Sequence, residues 1–209
     1  MNTAHLFLPA LLGLVTAASA LPAADACCGA PGRPAAATAA LSDRSIYQLD
    51  ATWTTDAGMP FTLAELRGRP VVLAMFFTSC GYACPRIVEA MTQIRQALPA
   101  AMRDRARFVL VSFDDQHDTV AVLQAYRVQH GLDPARWVLL RGAPDDIREL
   151  AAVLGVSYQK DAAGLFSHSN LITILNGEGE IAHQRAGLEG GLAEAARAVV
   201  AAGNAGRGR

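Results

Sequence analysis

Three apolar stretches divide the chain, and apolar residues recur at helical spacing after the first of them. The stretches cover 71–77, 108–112 and 137–140, and each has the length of a strand buried on both faces of a sheet. Between the first two stretches, one face of a predicted helix is formed by Ile87, Met91, Ile94 and Leu98. This pattern predicts a βαβ unit, in which parallel strands lie at the centre of the domain.

Further elements are predicted on both sides of this unit. A short hairpin is expected at 46–49 and 51–54, and Asp118 is expected to cap a helix that ends at Gly131. The remaining predicted elements are a helix at 144–154, a hairpin of 171–175 with 180–183 around Asn176-Gly177, and a helix at 189–201. The order predicts an α/β domain with a thioredoxin-like fold. Its central, mostly parallel sheet would be flanked by helices, with an N-terminal hairpin and an additional C-terminal hairpin.

The first 20 residues have the pattern of a secretory signal segment. An apolar stretch at about 6–18 leads to Ala18-Ser19-Ala20, although no Lys or Arg stands near the start. We therefore expect an exported, periplasmic protein. The alternative is an uncleaved N-terminal membrane tether, for which the apolar stretch is short and is interrupted by Pro9.

Composition divides the rest of the chain into a flexible Ala/Pro/Gly-rich linker at 21–43, the thioredoxin-like domain at 44–203 and a flexible tail at 204–209. A formal net charge of −1 with no dense basic run argues against nucleic acid as a partner. The chain also has no glycine-rich phosphate loop and no nucleophile elbow. Its chemistry is therefore expected to come from thiols and imidazoles.

Two cysteines, Cys80 and Cys84, follow the first apolar stretch and precede Pro85. Pro85 suits the first position of a helix, which would place Cys84 near the N-cap. The unpaired N–H groups and the positive dipole end of a helix stabilise thiolates, so we expect a reactive or metal-binding pair. In an oxidising compartment such a pair forms a disulfide unless it is reduced or metallated.

The CxxxC spacing leaves room for a metal ion between the sulfurs as well as for a disulfide. Two soft thiolates favour Cu(I), with Zn(II) as an alternative. A third donor would come from His117, His130, His168 or His183. His168 is the best placed of these, because its loop at 164–169 precedes the strand at 171 and passes beside the dithiol in thioredoxin-like folds.

Other polar residues have less specific interpretations. The segment 114–118 is expected to be a strand-to-helix loop, in which Asp118 caps the helix and the other polar residues are solvated or surround the metal site. The alternative is a separate hard-metal site formed by Asp114, Asp115, His117 and Asp118. His130 is expected at a helix C-terminus and His183 on a hairpin face, with no assigned role. Cys27-Cys28 could capture copper, form a disulfide, exchange with Cys80 and Cys84, or have no role.

Three segments resemble the Sco/SenC family of copper-binding assembly proteins for cytochrome c oxidase. Residues 77–85 are similar to its CxxxCP signature, and 112–119 to its serine and aspartate pattern after the second core strand. His168-Ser169 stands where the family has a copper-ligand histidine. The resemblance spans about 46–200. The chain departs from the family at Gly81, where proline is frequent, and at Ser167, where aspartate is common.

The resemblance implies that Cys80, Cys84 and His168 bind copper, as Cu(I), Cu(II) or both. It places an acidic residue, Asp114 or Asp118, near the site. It also implies a metallochaperone, a binding protein rather than an enzyme, that assists assembly of a cuproenzyme. The cuproenzyme centre that the resemblance favours is the dinuclear copper centre of cytochrome c oxidase.

Several partners follow from the same resemblance. The acceptor would be a cuproenzyme such as an oxidase subunit, and a thioredoxin-like reductant and another copper carrier are further candidates. The alternative function is a periplasmic thiol–disulfide oxidoreductase, in which Cys80 attacks an acceptor disulfide and Cys84 resolves the mixed disulfide.

Overall fold

The structure, a computed structural model, describes residues 40–161 and 166–205. The expected signal segment at 1–20, the linker up to residue 39, and Cys27 and Cys28 lie outside these residues. Residues 206–209 of the expected tail also lie outside them. Within the described residues, no helix is both long enough and apolar enough to cross a membrane.

Strands of the described residues form one large sheet and one small one. They are β1 (Trp53–Thr55), β2 (Pro60–Phe61), β3 (Val71–Phe76), β4 (Arg107–Ser112), β5 (Trp137–Arg141), β6 (Tyr158–Lys160), β7 (Phe166–His168), β8 (Leu171–Leu175) and β9 (Ile181–Ala186). The seven-stranded sheet has the order β2-β1-β5-β4-β3-β8-β9, while β6 and β7 pair as a separate hairpin.

Parallel pairing is confined to the three inner strands of the large sheet. β3 pairs with β4 and β4 with β5 in parallel, whereas the outer strands β1, β2, β8 and β9 pair antiparallel. Phe76 lies opposite Ser112, so β3 and β4 end at the same edge of the sheet. The loops that follow these two strands, which contain the dithiol and the Asp114–Asp118 segment, therefore start side by side.

Helices flank the sheet as expected for a thioredoxin-like α/β fold. They are α1 (Ala83–Ala97), α2 (Ala100–Arg105), α3 (Val120–Gln129), α4 (Pro144–Leu154) and α5 (Leu192–Ala205). α1 buries Ile87, Met91 and Ile94, the residues whose spacing predicted it. Gly131, at a φ of 59°, follows the end of α3. The short α2 was not predicted.

The N-terminal hairpin lies further along the chain than the sequence suggested. Residues Ile46–Gln48 form a 3₁₀ turn instead of a strand, because the Ser45 hydroxyl accepts a hydrogen bond from the Tyr47 N–H at 3.2 Å. Tyr47 and Ile46 are buried there. β1 instead pairs with β2, and β1 joins the large sheet by pairing with β5.

Candidate metal site

The dithiol lies where β3 leaves the sheet and α1 begins. Cys84 is the second residue of α1 and is completely buried, while Cys80 is half-buried in the preceding turn. The N-cap is Tyr82, so Cys84 lies near the N-cap as predicted, but Pro85 is the third residue of the helix and not the first. The N–H of Cys84 points back towards the Cys80 sulfur, at 3.4 Å.

The two thiols have opposite acidities. Partial burial opposes ionisation of Cys80, but hydrogen bonds from the N–H groups of Cys84, Tyr82 and Ala83 outweigh it and lower the pKa of Cys80. Burial raises the pKa of Cys84 strongly, and the negative charges of Cys80 and Asp118 add to this effect. Cys80 is therefore the thiol that ionises first.

His168 reaches the dithiol from the small hairpin. It ends β7, where a loop was expected, and pairs with Tyr158 of β6. Its Nε2 lies 3.9 Å from the Cys84 sulfur, and its Nδ1 lies 3.1 Å from the carbonyl oxygen of Ser169. When Nδ1 donates to that carbonyl, Nε2 keeps its lone pair and faces the thiols, which is how proteins orient histidine ligands of metals.

Cys80, Cys84 and His168 together form a group suited to a single metal ion. One ligand atom from each residue lies within 4.8 Å of the other two. Donors bound to one ion at about 2.0–2.3 Å are about 3.5–4 Å apart, so a small inward movement suffices. Two soft sulfurs and one imidazole nitrogen are a donor set that Cu(I) prefers, and three donors leave a coordination position open.

Aromatic side chains surround His168. The ring of Phe113 lies 5.2 Å from the imidazole and the ring of Phe77 lies 5.8 Å from it, measured between centroids. Phe113 also packs against Tyr158 and Phe166 of the hairpin, at 5.1 Å and 5.0 Å. The sequence did not predict this cluster, because its members are far apart in the chain. The one local indication of it was Phe113, an aromatic residue directly after β4.

Asp118 does not cap α3, contrary to the prediction. Thr119 is the N-cap, and its hydroxyl accepts a hydrogen bond from the Val122 N–H at 3.3 Å. The Asp118 side chain is buried and instead accepts hydrogen bonds from the Thr78 N–H at 3.0 Å and from the hydroxyls of Thr78 and Ser112. Asp118 therefore contacts the turn that contains Cys80.

Asp114 is also buried rather than solvated. It accepts a hydrogen bond from Nδ1 of the exposed His117 at 2.9 Å, and the Lys160 amine lies 3.8 Å from it. Among the described residues, Asp114, Asp115, His117 and Asp118 do not form a group that could hold a metal ion.

Two further histidines of the described residues, His130 and His183, lie outside the site. His130 is the C-cap of α3, where its ring packs on Tyr126 at 4.1 Å and burial lowers its pKa. His183 lies on β9 opposite Ile174, on the face of the C-terminal hairpin.

The sequence and the fold of the chain resemble those of known proteins. The sequence profile of the SCO1/SenC family matches residues 41–201, which is most of the chain. The chain belongs to the SCO1/SenC family. A relative from Stutzerimonas stutzeri, named "Putative copper-binding protein", is 28% identical over 152 residues, which are 70% of this chain and 72% of the relative.

Solved structures share the fold. Bradyrhizobium japonicum ScoI with copper bound superposes with a TM-score of 0.61 at 22% identity, covering 72% of this chain and 96% of ScoI. BsSco, described as having a disulfide switch, superposes with a TM-score of 0.65 at 21% identity, covering 76% of this chain and 94% of BsSco. Both confirm the thioredoxin-like architecture of this SCO1/SenC member.

Proposed function

We propose that this SCO1/SenC protein is a copper metallochaperone whose cargo is held by Cys80, Cys84 and His168. The observation that carries the proposal is the convergence of the three donor atoms within 4.8 Å of one another. The thiols and the imidazole come from α1, its preceding turn and β7, so only the folded chain assembles them.

The difference in burial among the donors supports transfer rather than permanent storage. Cys84 is completely buried, whereas Cys80 and His168 are only half-buried. An incoming ligand can therefore approach the ion on the side of Cys80 and His168 and use the open coordination position. Exchange of donors one at a time transfers the ion without releasing it to solvent.

The acceptor belongs to the proposal as well. BsSco is described as a member of the Sco family of cytochrome c oxidase assembly proteins. By analogy, the acceptor here is a cuproenzyme, with the dinuclear copper centre of a cytochrome c oxidase subunit as the leading choice. The signal-like N-terminus supports export to the periplasm, as a free or tethered protein, where another copper carrier would load the site.

The same dithiol supports a second function, thiol–disulfide exchange, because an accessible thiol of lowered pKa lies beside a buried partner thiol. The Cys80 thiolate would attack an acceptor disulfide, forming a mixed disulfide and releasing one acceptor thiolate. Cys84 would then lose its proton and attack the Cys80 sulfur, releasing the second thiolate. Two electrons pass to the acceptor, and a thioredoxin-like reductant would reduce the Cys80–Cys84 disulfide again.

An anaerobic Cu(I) titration of the reduced full chain tests the proposal and separates the two functions. Cys27 and Cys28 are replaced by serine in every sample, so that only the folded site contributes thiols. We expect one tightly bound ion, with at least about 100-fold weaker binding in Cys80→Ser and His168→Ala, because each removes one of three donors. The control His183→Ala should bind like the parent.

Reduction of a model disulfide is measured on the same samples. Under the chaperone function, His168→Ala loses copper affinity and keeps its rate of disulfide reduction. Unchanged copper affinity in His168→Ala would contradict the ligand assignment. A parent that binds no copper tightly but reduces disulfides would establish the second function instead.

A further inference from the structure

Asp118 connects the ends of three neighbouring strands. Its carboxylate accepts hydrogen bonds from Thr78, which follows β3, and from Ser112, the last residue of β4. The side chain of Arg141, at the end of β5, donates to the backbone oxygens of Asp118 at 3.0 Å and Asp115 at 2.9 Å. The position of the carboxylate is therefore set by β4 and β5, independently of the turn that it holds.

The contact with Thr78 is the one that matters for the metal site. Both the N–H and the hydroxyl of Thr78 donate to Asp118, one to each carboxylate oxygen. Thr78 stands two residues before Cys80, in a turn without regular secondary structure. Within that turn the Cys80 N–H donates to the Phe77 oxygen at 3.4 Å, which is a long hydrogen bond. The Asp118 contacts are therefore the better-formed restraints on the segment before Cys80.

We propose that Asp118 is a positioning residue, which fixes Thr78 and thereby holds the Cys80 sulfur where it can share one ion with Cys84 and His168. The copper part of this inference rests on the proposed function. Asp118 is 1% exposed, so water cannot replace the hydrogen bonds that a substitution removes. Loss of these bonds frees Thr78 and lets Cys80 move away from the other two donors.

Two substitutions of different severity test this role in the full chain with Cys27 and Cys28 replaced by serine. Asp118→Asn replaces one acceptor oxygen by an NH₂ group that faces hydrogen-bond donors. Thr78→Val removes the hydroxyl and keeps the backbone N–H bond. Because loss of a residue that orients a metal ligand costs about 10–100-fold in metal affinity, we expect Asp118→Asn to weaken Cu(I) binding by that factor. Thr78→Val should weaken it less.

Asp56→Asn is the matched control. Asp56 is also buried and is paired with Arg127, which donates to the Leu132 and Trp137 carbonyls, away from the dithiol. We expect Asp56→Asn to lower the thermal midpoint without weakening copper binding. Parent-like affinity in folded Asp118→Asn would overturn the proposal, and so would an equal loss of affinity in Asp56→Asn. If Asp118→Asn does not fold, Thr78→Val is compared with the parent and with Asp56→Asn in the same way, and parent-like copper affinity in Thr78→Val would overturn the proposal.

A second measurement keeps this inference separate from the proposed function. The equilibrium constant for forming the Cys80–Cys84 disulfide against glutathione depends on how the two sulfurs are held, whether or not copper is cargo. We expect a shift of at least about threefold in Asp118→Asn, a shift also in Thr78→Val, which keeps the negative charge of Asp118 beside Cys84, and none in Asp56→Asn. If the parent binds no copper, this shift still supports the positioning role, and its absence overturns that role alone.

Discussion

The metal site joins two regions that are built in different ways. The dithiol region, residues 76–84, continues directly from the completely buried strand β3 into α1. The histidine region is the β6–β7 hairpin, whose two described strands pair with each other and form a sheet separate from the seven-stranded one. β3 has buried residues along its whole length, whereas each strand of the hairpin has three residues, none of them fully buried.

This difference shows which forces place the donors. The position of Cys84 follows from the sheet and from α1, because its side chain belongs to the main hydrophobic core. The position of His168 depends on ring contacts, through Phe113, which follows β4, and Phe77, which follows β3. The Cys84 thiol is therefore placed by the main core, and the imidazole by a local aromatic cluster.

Phe113→Ala should have the largest effect, because its ring links the two regions. It is buried and contacts His168, Tyr158 and Phe166. Truncating a buried Phe to Ala costs about 3–5 kcal/mol of the free energy of unfolding, which chemical denaturation would measure. In addition, we expect weaker Cu(I) binding, because the hairpin loses the contacts that hold His168 near the thiols.

The control for this change is Phe108→Ala. Phe108 lies near the start of β4, whereas Phe113 follows its end; Phe108 is similarly buried and packs on Trp137 at 5.1 Å. It should lose similar stability and keep the copper affinity of the parent wherever the protein is folded. Equal weakening of copper binding in both variants would mean that Phe113 acts through overall stability alone.

The dithiol region itself should react asymmetrically with alkylating reagents. The pKa of Cys80 is lowered and that of Cys84 is raised, so iodoacetamide should modify Cys80 first, with a pH midpoint below that of a free thiol. Mass spectrometry of the reduced, metal-free chain after timed labelling would give both rates. Preferential labelling of Cys84 near neutral pH would contradict the assignment of Cys80 as the accessible thiolate.

The raised pKa of Cys84 also makes the stability of the reduced, metal-free protein depend on pH. The folded state holds this proton more tightly than the unfolded chain does. The resulting stabilisation is fully present below the unfolded thiol pKa of about 8.5 and is lost as the pH rises from there towards the folded value. Thermal midpoints measured from pH 7 to 10 should fall more in the parent than in Cys84→Ala.

Lys160→Met should have the smallest effect. The Lys160 amine lies 4.9 Å from the centre of the Phe166 ring, 3.8 Å from Asp114 and 3.4 Å from the Gln116 side chain, so it ties the hairpin to the loop after β4. Methionine keeps most of the length of the side chain and removes its charge. The Lys160 side chain is partly exposed, and its amine lies too far from Asp114 for a hydrogen bond. Contacts of this kind contribute less than about 1 kcal/mol, so denaturation should detect only a small loss of stability.

Arg136→Met is the matched control, because Arg136 pairs with Asp104 at 2.9 Å outside the hairpin. Hydrogen exchange of the β6 and β7 amides reports local opening of the hairpin. This exchange should increase in Lys160→Met and not in Arg136→Met. Equal hydrogen exchange in the two variants would mean that Lys160 does not stabilise the hairpin that carries His168.

The predicted and observed elements differ where side chains from distant segments compete. The βαβ unit follows from its apolar pattern, because a continuously buried strand tolerates little else. The turn at Ile46–Gln48 depends on Ser45 and on burial of Tyr47, which local propensity does not reveal. Asp118 stands at a position typical of a helix N-cap, yet its carboxylate accepts a hydrogen bond from Thr78, 40 residues earlier in the chain.

The sequence by itself determined the fold class, through the spacing of apolar residues, and the identity of the thiols, through the CxxxCP motif between a buried strand and a helix. It also singled out His168, through its resemblance to a known family. Tertiary structure alone decided that the imidazole lies 3.9 Å from the Cys84 sulfur and that Asp118 holds Thr78. The physical reason is that apolar periodicity is a local property of the chain, whereas the hydrogen bonds and ring contacts of a metal site join residues that only folding brings together.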